Sequence, residues 1–126
     1  MREITSHKVN GLNEALDVKV LDDPGHGNAN HEYVIEYNEA TEGAIVLPVA
    51  HRISFQNGPI QEHGVNGISN EVLLAIVEDR LLGFQSGQYA CHENALALTK
   101  LQEAMMWLQK RTRDRVSRGV EGTSQK

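Results

Sequence analysis

From Ser69 to Arg118 two helical patterns follow one another with only a short polar break between them, and this constrains the fold more than any other feature of the chain. In "GISNEVLLAIVEDRLLGFQSG", Ser69 and Asn70 are candidate caps, and Glu71 suits the positive end of a helix dipole. Leu73, Ile76, Val77, Leu81 and Phe84 fall near helical spacing, and Gly87 suits the position just past a helix end. The second helix is expected from about Glu93 to Arg115 or a little beyond. Its seam reads Ala97, Leu101, Ala104, Leu108, with Leu98 and Met105 beside it and Met106 and Trp107 off it. Two such helices joined by a short turn pack as an antiparallel hairpin. Trp107 beside Met106 is either a subunit contact or packing against the rest of the chain.

The first half reads as strand and loop. Leu16, Val18 and Val20 alternate with their neighbours, and Tyr33, Ile35 and Tyr37 do the same. "DDPGHGNAN" between them is a loop, so the pair forms a hairpin with a long connection. "GAIVLPVAHRISFQNGPI" adds one or two short strands, limited or placed at edges by Pro48 and Pro59. The expected class is therefore α+β: a small antiparallel β region over residues 1–60, then a helical hairpin over 61–126 with a basic end, integrated in one domain and assembling as an oligomer. With 126 residues and six aromatics the core is modest, and association often supplements such cores.

Charge is divided along the chain. Residues 1–99 carry 5 basic and 14 acidic side chains, whereas residues 100–126 carry 7 basic and 3 acidic. An acidic whole argues against duplex nucleic acid, and a localised basic end suits a small anion or an acidic partner surface. No membrane span or signal peptide is expected, and the single Cys91 excludes an intrachain disulfide, which points to the cytoplasm. The six histidines lack HExxH spacing, "GHGN" lacks the phosphate-loop order, and no nucleophile elbow or kinase signature is present. No metal, no cofactor and no enzymatic activity are expected.

Continued past Leu108, the seam reaches Arg111, Arg115 and Arg118. A guanidinium on a face that is elsewhere buried needs a negative partner. Asp114 and the acidic first half offer one within the chain, and a bound anion offers another; spacing does not decide between them. Gly67, before a helix start, is either a plain turn or a phosphate-binding N–H. Phe84 either closes the hairpin core or stacks on a base, and Asn94 either caps a turn or reads a base edge or ribose.

The stretch from Phe55 to Thr123 resembles the phage Thoeris anti-defence proteins of the first type, most sharply in "FQNGPI", "GVNGI", "CHENALALTKL" and "RGVEGT". The hairpin is similar to one shared with phage anti-CBASS sponges. The resemblance implies a non-enzymatic sponge in the infected bacterial host cytoplasm that holds glycocyclic ADP-ribose, made by a TIR-domain enzyme, without cleaving it. It also implies a hexamer with separate pockets for cyclic di- or trinucleotides. Carried over by position, it implies ligand contacts from Phe84, Asn94, Arg111 and Arg115, an arginine from the β half for which Arg52 is the candidate, and a second pocket near Gly67. Arg118 joins them as the last arginine on the seam.

Helix rise adds a constraint. Phe84 and Asn94 flank the turn, and Arg111 lies 17 residues beyond Asn94, roughly 25 Å along one helix. One chain cannot close these groups around one small ligand, so the expected site lies between at least two antiparallel copies. A signal-degrading enzyme and a protein-interaction module docking an acidic partner through its C-terminal arginines are the competing classes.

Overall fold

The computed structural model describes residues 1–44 and 46–126; Ile45, in the expected third strand stretch, lies outside the described residues. The chain divides into two compact units, one of Met1–Gly58 with Val65–Ile68 and one of Pro59–Gly64 with Ser69–Lys126.

The first unit is a four-stranded antiparallel meander: β1 (Arg2–Ile4), β2 (Asp17–Val20), β3 (Glu32–Ala40) and β4 (Val46–Ser54), each beside its sequence neighbour. A four-residue helix, α1 (Gly11–Glu14), links β1 to β2, and the Asn10 side chain caps it through the Asn13 amide. The expected strands at 16–20 and 33–37 are present and paired, Val18 opposite Ile35 and Val20 opposite Tyr33. β1 and α1 were not legible beforehand, because three residues of strand and one turn of helix carry no periodicity. β4 is one long strand, with Pro48 opposite Asn38 on an edge, where its missing N–H costs no ladder bond. Val20 is 1% exposed and is the centre of this unit's core.

The loop "DDPGHGNAN" is held from below by Asp22, whose carboxylate accepts the main-chain N–H groups of His31 (3.0 Å) and Glu32 (3.2 Å). Burial works to raise the Asp22 carboxyl, but these N–H groups and the Asn30 side chain outweigh it and set its pKa below the ordinary 3.8. A depressed carboxylate pKa contributes stability that is present above 3.8 and is lost as pH falls through the lower folded value. Exchange protection of the His31 and Glu32 amides should therefore fade in strong acid. In Asp22→Asn it should be weak already at neutral pH; full neutral protection in that variant would refute the tether.

Gly67 lies where two backbones nearly touch. A Cβ built on it would fall 2.4 Å from the Phe55 carbonyl carbon, beside the parallel bridge between Phe55 and Ile68. Glycine is needed there to let the chain pass.

The second unit holds α2 (Ile60–His63), α3 (Asn70–Gln85) and α4 (His92–Ser117). Ser69 is the α3 cap, its hydroxyl 3.2 Å from the Val72 amide. Ser86 closes the far end, and Gly87 follows it without a left-handed φ. The turn is clasped by one side chain: Gln85 donates to the Cys91 carbonyl (3.2 Å) and accepts from the Cys91 amide (3.0 Å). α4 is continuous over 26 residues.

The covered face of α4 runs Asn94, Leu98, Leu101, Met105, Leu108, Thr112, Arg115, in alternating steps of four and three. This is the heptad spacing of a helix seated along a partner. On α3 the half-buried line is Glu71, Leu74, Glu78, Leu81, Gln85, with Leu73 beside it. The expected α4 seam was misplaced: Ala97 and Ala104 are exposed, and Leu98 and Met105 take their places. Larger side chains remove more apolar area from water, so the helix turns to seat them. On α3, Ile76, Val77 and Phe84 point outward with Val72 and Leu82. Both helices are apolar on more than one side. Among the described residues no helix is long and apolar enough to cross a membrane.

Candidate anion site at the end of the hairpin

With the seam corrected, the three arginines part company. After Leu108 the covered face steps to Thr112 and Arg115, leaving Arg111 and Arg118 exposed. Arg115 is 7% exposed. Its Nε donates to the Glu121 carboxylate (3.1 Å), Nη1 to the Gln125 carbonyl (2.5 Å), and Nη2 to those of Val120 (2.9 Å) and Thr123 (3.0 Å).

The segment that supplies these oxygens explains "RGVEGT". Gly119, at φ 73°, ends α4: its amide meets the Val116 carbonyl and the Val120 amide meets the Arg115 carbonyl. That is the Schellman arrangement, which glycine permits without strain. Val120 is buried, Glu121 turns to Arg115, and Gly122, at φ 80°, presses its Cα side to within about a methyl group of Ile60 and Gln61. The Gln61 amide and side chain bond to the Gly122 and Glu121 carbonyls. The partner expected for a buried arginine is thus inside the chain, but it is Glu121 with a set of carbonyls rather than Asp114.

Asp114 instead accepts from Lys110 at 2.8 Å, one helical turn away. That bond, and the Lys110 charge after it, hold its carboxyl below the ordinary 3.8. Arg111 makes no hydrogen bond or ion pair among the described residues. Trp107, Lys110, Arg111, Asp114, Arg115, Arg118 and Lys126 line one open cavity of about 460 Å³. Two of the five cations are paired, Lys110 with Asp114 and Arg115 with Glu121, and Arg111, Arg118 and Lys126 remain to outweigh the negative end of the α4 dipole and give a positive potential suited to an anion.

The other candidates lie elsewhere. Phe84, 40% exposed at the turn end, carries the Arg80 guanidinium 5.5 Å from its ring centroid. Arg80 was missed; its place one helical turn before Phe84 was the available signal. Asn94 is in the first turn of α4; its amide meets the Cys91 sulfur at 3.4 Å, and its side chain has no partner among the described residues. Arg52 and Gly67 belong to the first unit, where Arg52 pairs with Glu32 across the strands at 3.3 Å and Gly67 serves the backbone approach described above. Gly67 also stands ahead of the cap rather than at the helix start. So the arginines of α4 are brought together, Phe84 and Asn94 flank the opposite end, and α4 itself keeps Asn94 and Arg111 roughly 25 Å apart. Among the described residues no group of three or more His, Cys, Asp or Glu side chains is placed to hold a metal.

A family model described as "Acb2/Tad1, hairpin domain" matches residues 48–113. The chain belongs to the Acb2/Tad1 hairpin-domain family. It is also 57% identical over 74 residues to "Thoeris anti-defense 1" of Bacillus phage SBSphiJ7, a match covering 59% of this chain and 52% of that protein. The chain thus spans about half the length of the curated relative it matches. The family match takes in Phe84, Asn94 and Arg111 and stops short of Arg115, Arg118 and the glycine-bearing segment after α4.

Proposed function

We propose that this chain is a phage anti-defence sponge that sequesters, uncleaved, a cyclised ADP-ribose of the kind made by TIR-domain enzymes in the cytoplasm of an infected bacterium. The observation that carries the reading is Arg111: an exposed guanidinium without a partner among the described residues, in a cavity with a cation excess. A pyrophosphate matches such a fork in bidentate geometry. The name of the Bacillus phage relative supports the biological setting.

A cyclised ADP-ribose also presents an adenine face and ribose hydroxyls. Phe84 is exposed enough to stack on a base, worth roughly 1–3 kcal/mol, and the Asn94 amide has donor and acceptor to offer. The length of α4 separates these groups from Arg111, so the complete site is formed by the turn end of one copy and the arginine end of another. The outward Val72, Ile76, Val77 and Leu82 support such an assembly, because a second apolar face on a helix is normally covered by a second partner. Its order is at least two, with a hexamer as the family pattern. Phe84, Asn94 and Arg111 are the proposed direct contacts, joined by Arg115 and Arg118 from the cavity wall. Arg52 and Gly67 have structural occupations and are left out.

The test is chemical. The full chain is loaded with a cyclic ADP-ribose isomer, washed, heat-denatured, and the released nucleotide analysed by mass spectrometry. Recovery of the intact ring is expected, and ring-opened ADP-ribose would assign the chain to a degrading enzyme instead. Retention of no nucleotide, with cyclic di- and trinucleotides in parallel, would leave the arginines as a docking surface for an acidic protein.

A further inference from the structure

We infer that residues 123–126 are an internal strap that fills the cavity's arginines with its own main-chain oxygens, and that an entering anion exchanges with it. This rests on reading the cavity as an anion site and adds how that site opens.

A guanidinium has five N–H donors, and four of those on Arg115 are taken within the chain. Arg118 gives one more to the Lys126 main-chain oxygen at 2.7 Å. The strap oxygens of Thr123 (3.0 Å) and Gln125 (2.5 Å) on Arg115 and of Lys126 (2.7 Å) on Arg118 stand where phosphate oxygens would have to stand. An anion that uses Arg115 or Arg118 in full must therefore replace strap oxygens.

The strap is not held evenly. The segment that leads into it, up to Gly122, is anchored by the Schellman turn, the buried Val120 and the Gln61 bonds. Beyond Thr123 the bonds other than those to the arginines are long: Gln125 amide to Thr123 hydroxyl at 3.3 Å, and Ser124 hydroxyl to Glu62 at 3.4 Å. The outer residues stay in place mainly through the two guanidinium groups that a ligand would claim. A phosphate oxygen is the stronger acceptor, because it is charged and meets a guanidinium in bidentate geometry, whereas the Gln125 carbonyl is neutral and takes a single N–H. Exchange of the Gln125 carbonyl for phosphate oxygens is thus favourable, and it leaves the inner anchor intact. A closed strap lowers apparent affinity by the fraction of time it is open, so any change that opens it tightens binding.

The experiment uses the full chain, with inorganic pyrophosphate as probe. Two variants loosen the strap without substituting any residue that lines the cavity: Thr123→Val removes the hydroxyl that ties Val120 to Gln125, and Gly122→Val places a side chain against Ile60 at a left-handed φ. Calorimetry should show pyrophosphate binding tightened roughly tenfold in at least one of them, and hydrogen exchange of residues 123–126 in the unmodified chain should speed up on saturation. Binding only in the loosened variants supports the strap equally. Binding that Arg111→Ala abolishes while 123–126 stay equally or better protected, with both variants at unchanged or weaker affinity, overturns the strap and leaves the anion site standing. No binding by any of the three chains overturns both.

Discussion

Arg115→Ala is expected to release the segment after Ser117 and to cost the helical unit about 3 kcal/mol, a fall in melting midpoint of about 12–24 °C for a unit of this size. The substitution removes four hydrogen bonds from a buried charged donor and leaves Glu121 and three carbonyls without their shared partner. Val120, buried beneath them, loses its cover. Arg115→Lys should fall between, since an ammonium retains the charge for Glu121 but cannot present a planar fork to four oxygens. Thermal melting by circular dichroism, with limited proteolysis of the released segment, reads both effects. An Arg115→Ala midpoint within a degree or two of the parent would mean that the Arg115 hydrogen bonds are not structural. The consequence for binding studies is direct: lost affinity in Arg115→Ala mixes a missing contact with a collapsed cavity wall.

Arg111→Ala is the clean counterpart, expected to leave stability within about 0.5 kcal/mol while lowering affinity for a cyclised ADP-ribose roughly 100-fold. The stability half follows because Arg111 is exposed and engages nothing among the described residues. The affinity half follows from the loss of charge-assisted bonds to a pyrophosphate. Complementation then tests the shared site. Arg111→Ala and Phe84→Leu chains, each defective alone, are mixed and allowed to exchange subunits. A mixed pair rebuilds a site from the Phe84 of one chain and the Arg111 of the other, so about half of its sites recover. Failure of every mixture to bind, with mixed oligomers verified by native mass spectrometry, would exclude a site made across chains.

The hairpin and the antiparallel sheet were legible because both rest on periodicity. Ser69, the strands around Val18 and Ile35, and the extent of α4 needed no tertiary information. The rotation of α4 was not legible. Ala97 and Leu98 are adjacent, and both seams pass through Leu101 and Leu108, so spacing supports either face; side-chain size decides it. That one-position error carried Arg111 and Arg118 onto the covered face with Arg115. The role of Arg115 was equally hidden, because its acceptors are mainly main-chain oxygens, which no residue pattern records. Gly67 shows the same limit: a turn glycine and a glycine forced by a passing backbone read alike until Phe55 is seen beside it.

The unbroken course of α4 has a further consequence in symmetry. If two hairpins meet head to tail about a twofold axis, whatever forms at one end of the pair must form identically at the other. Sites then come in couples, with one messenger per polypeptide at saturation, and the length of one continuous helix serves as the ruler between them.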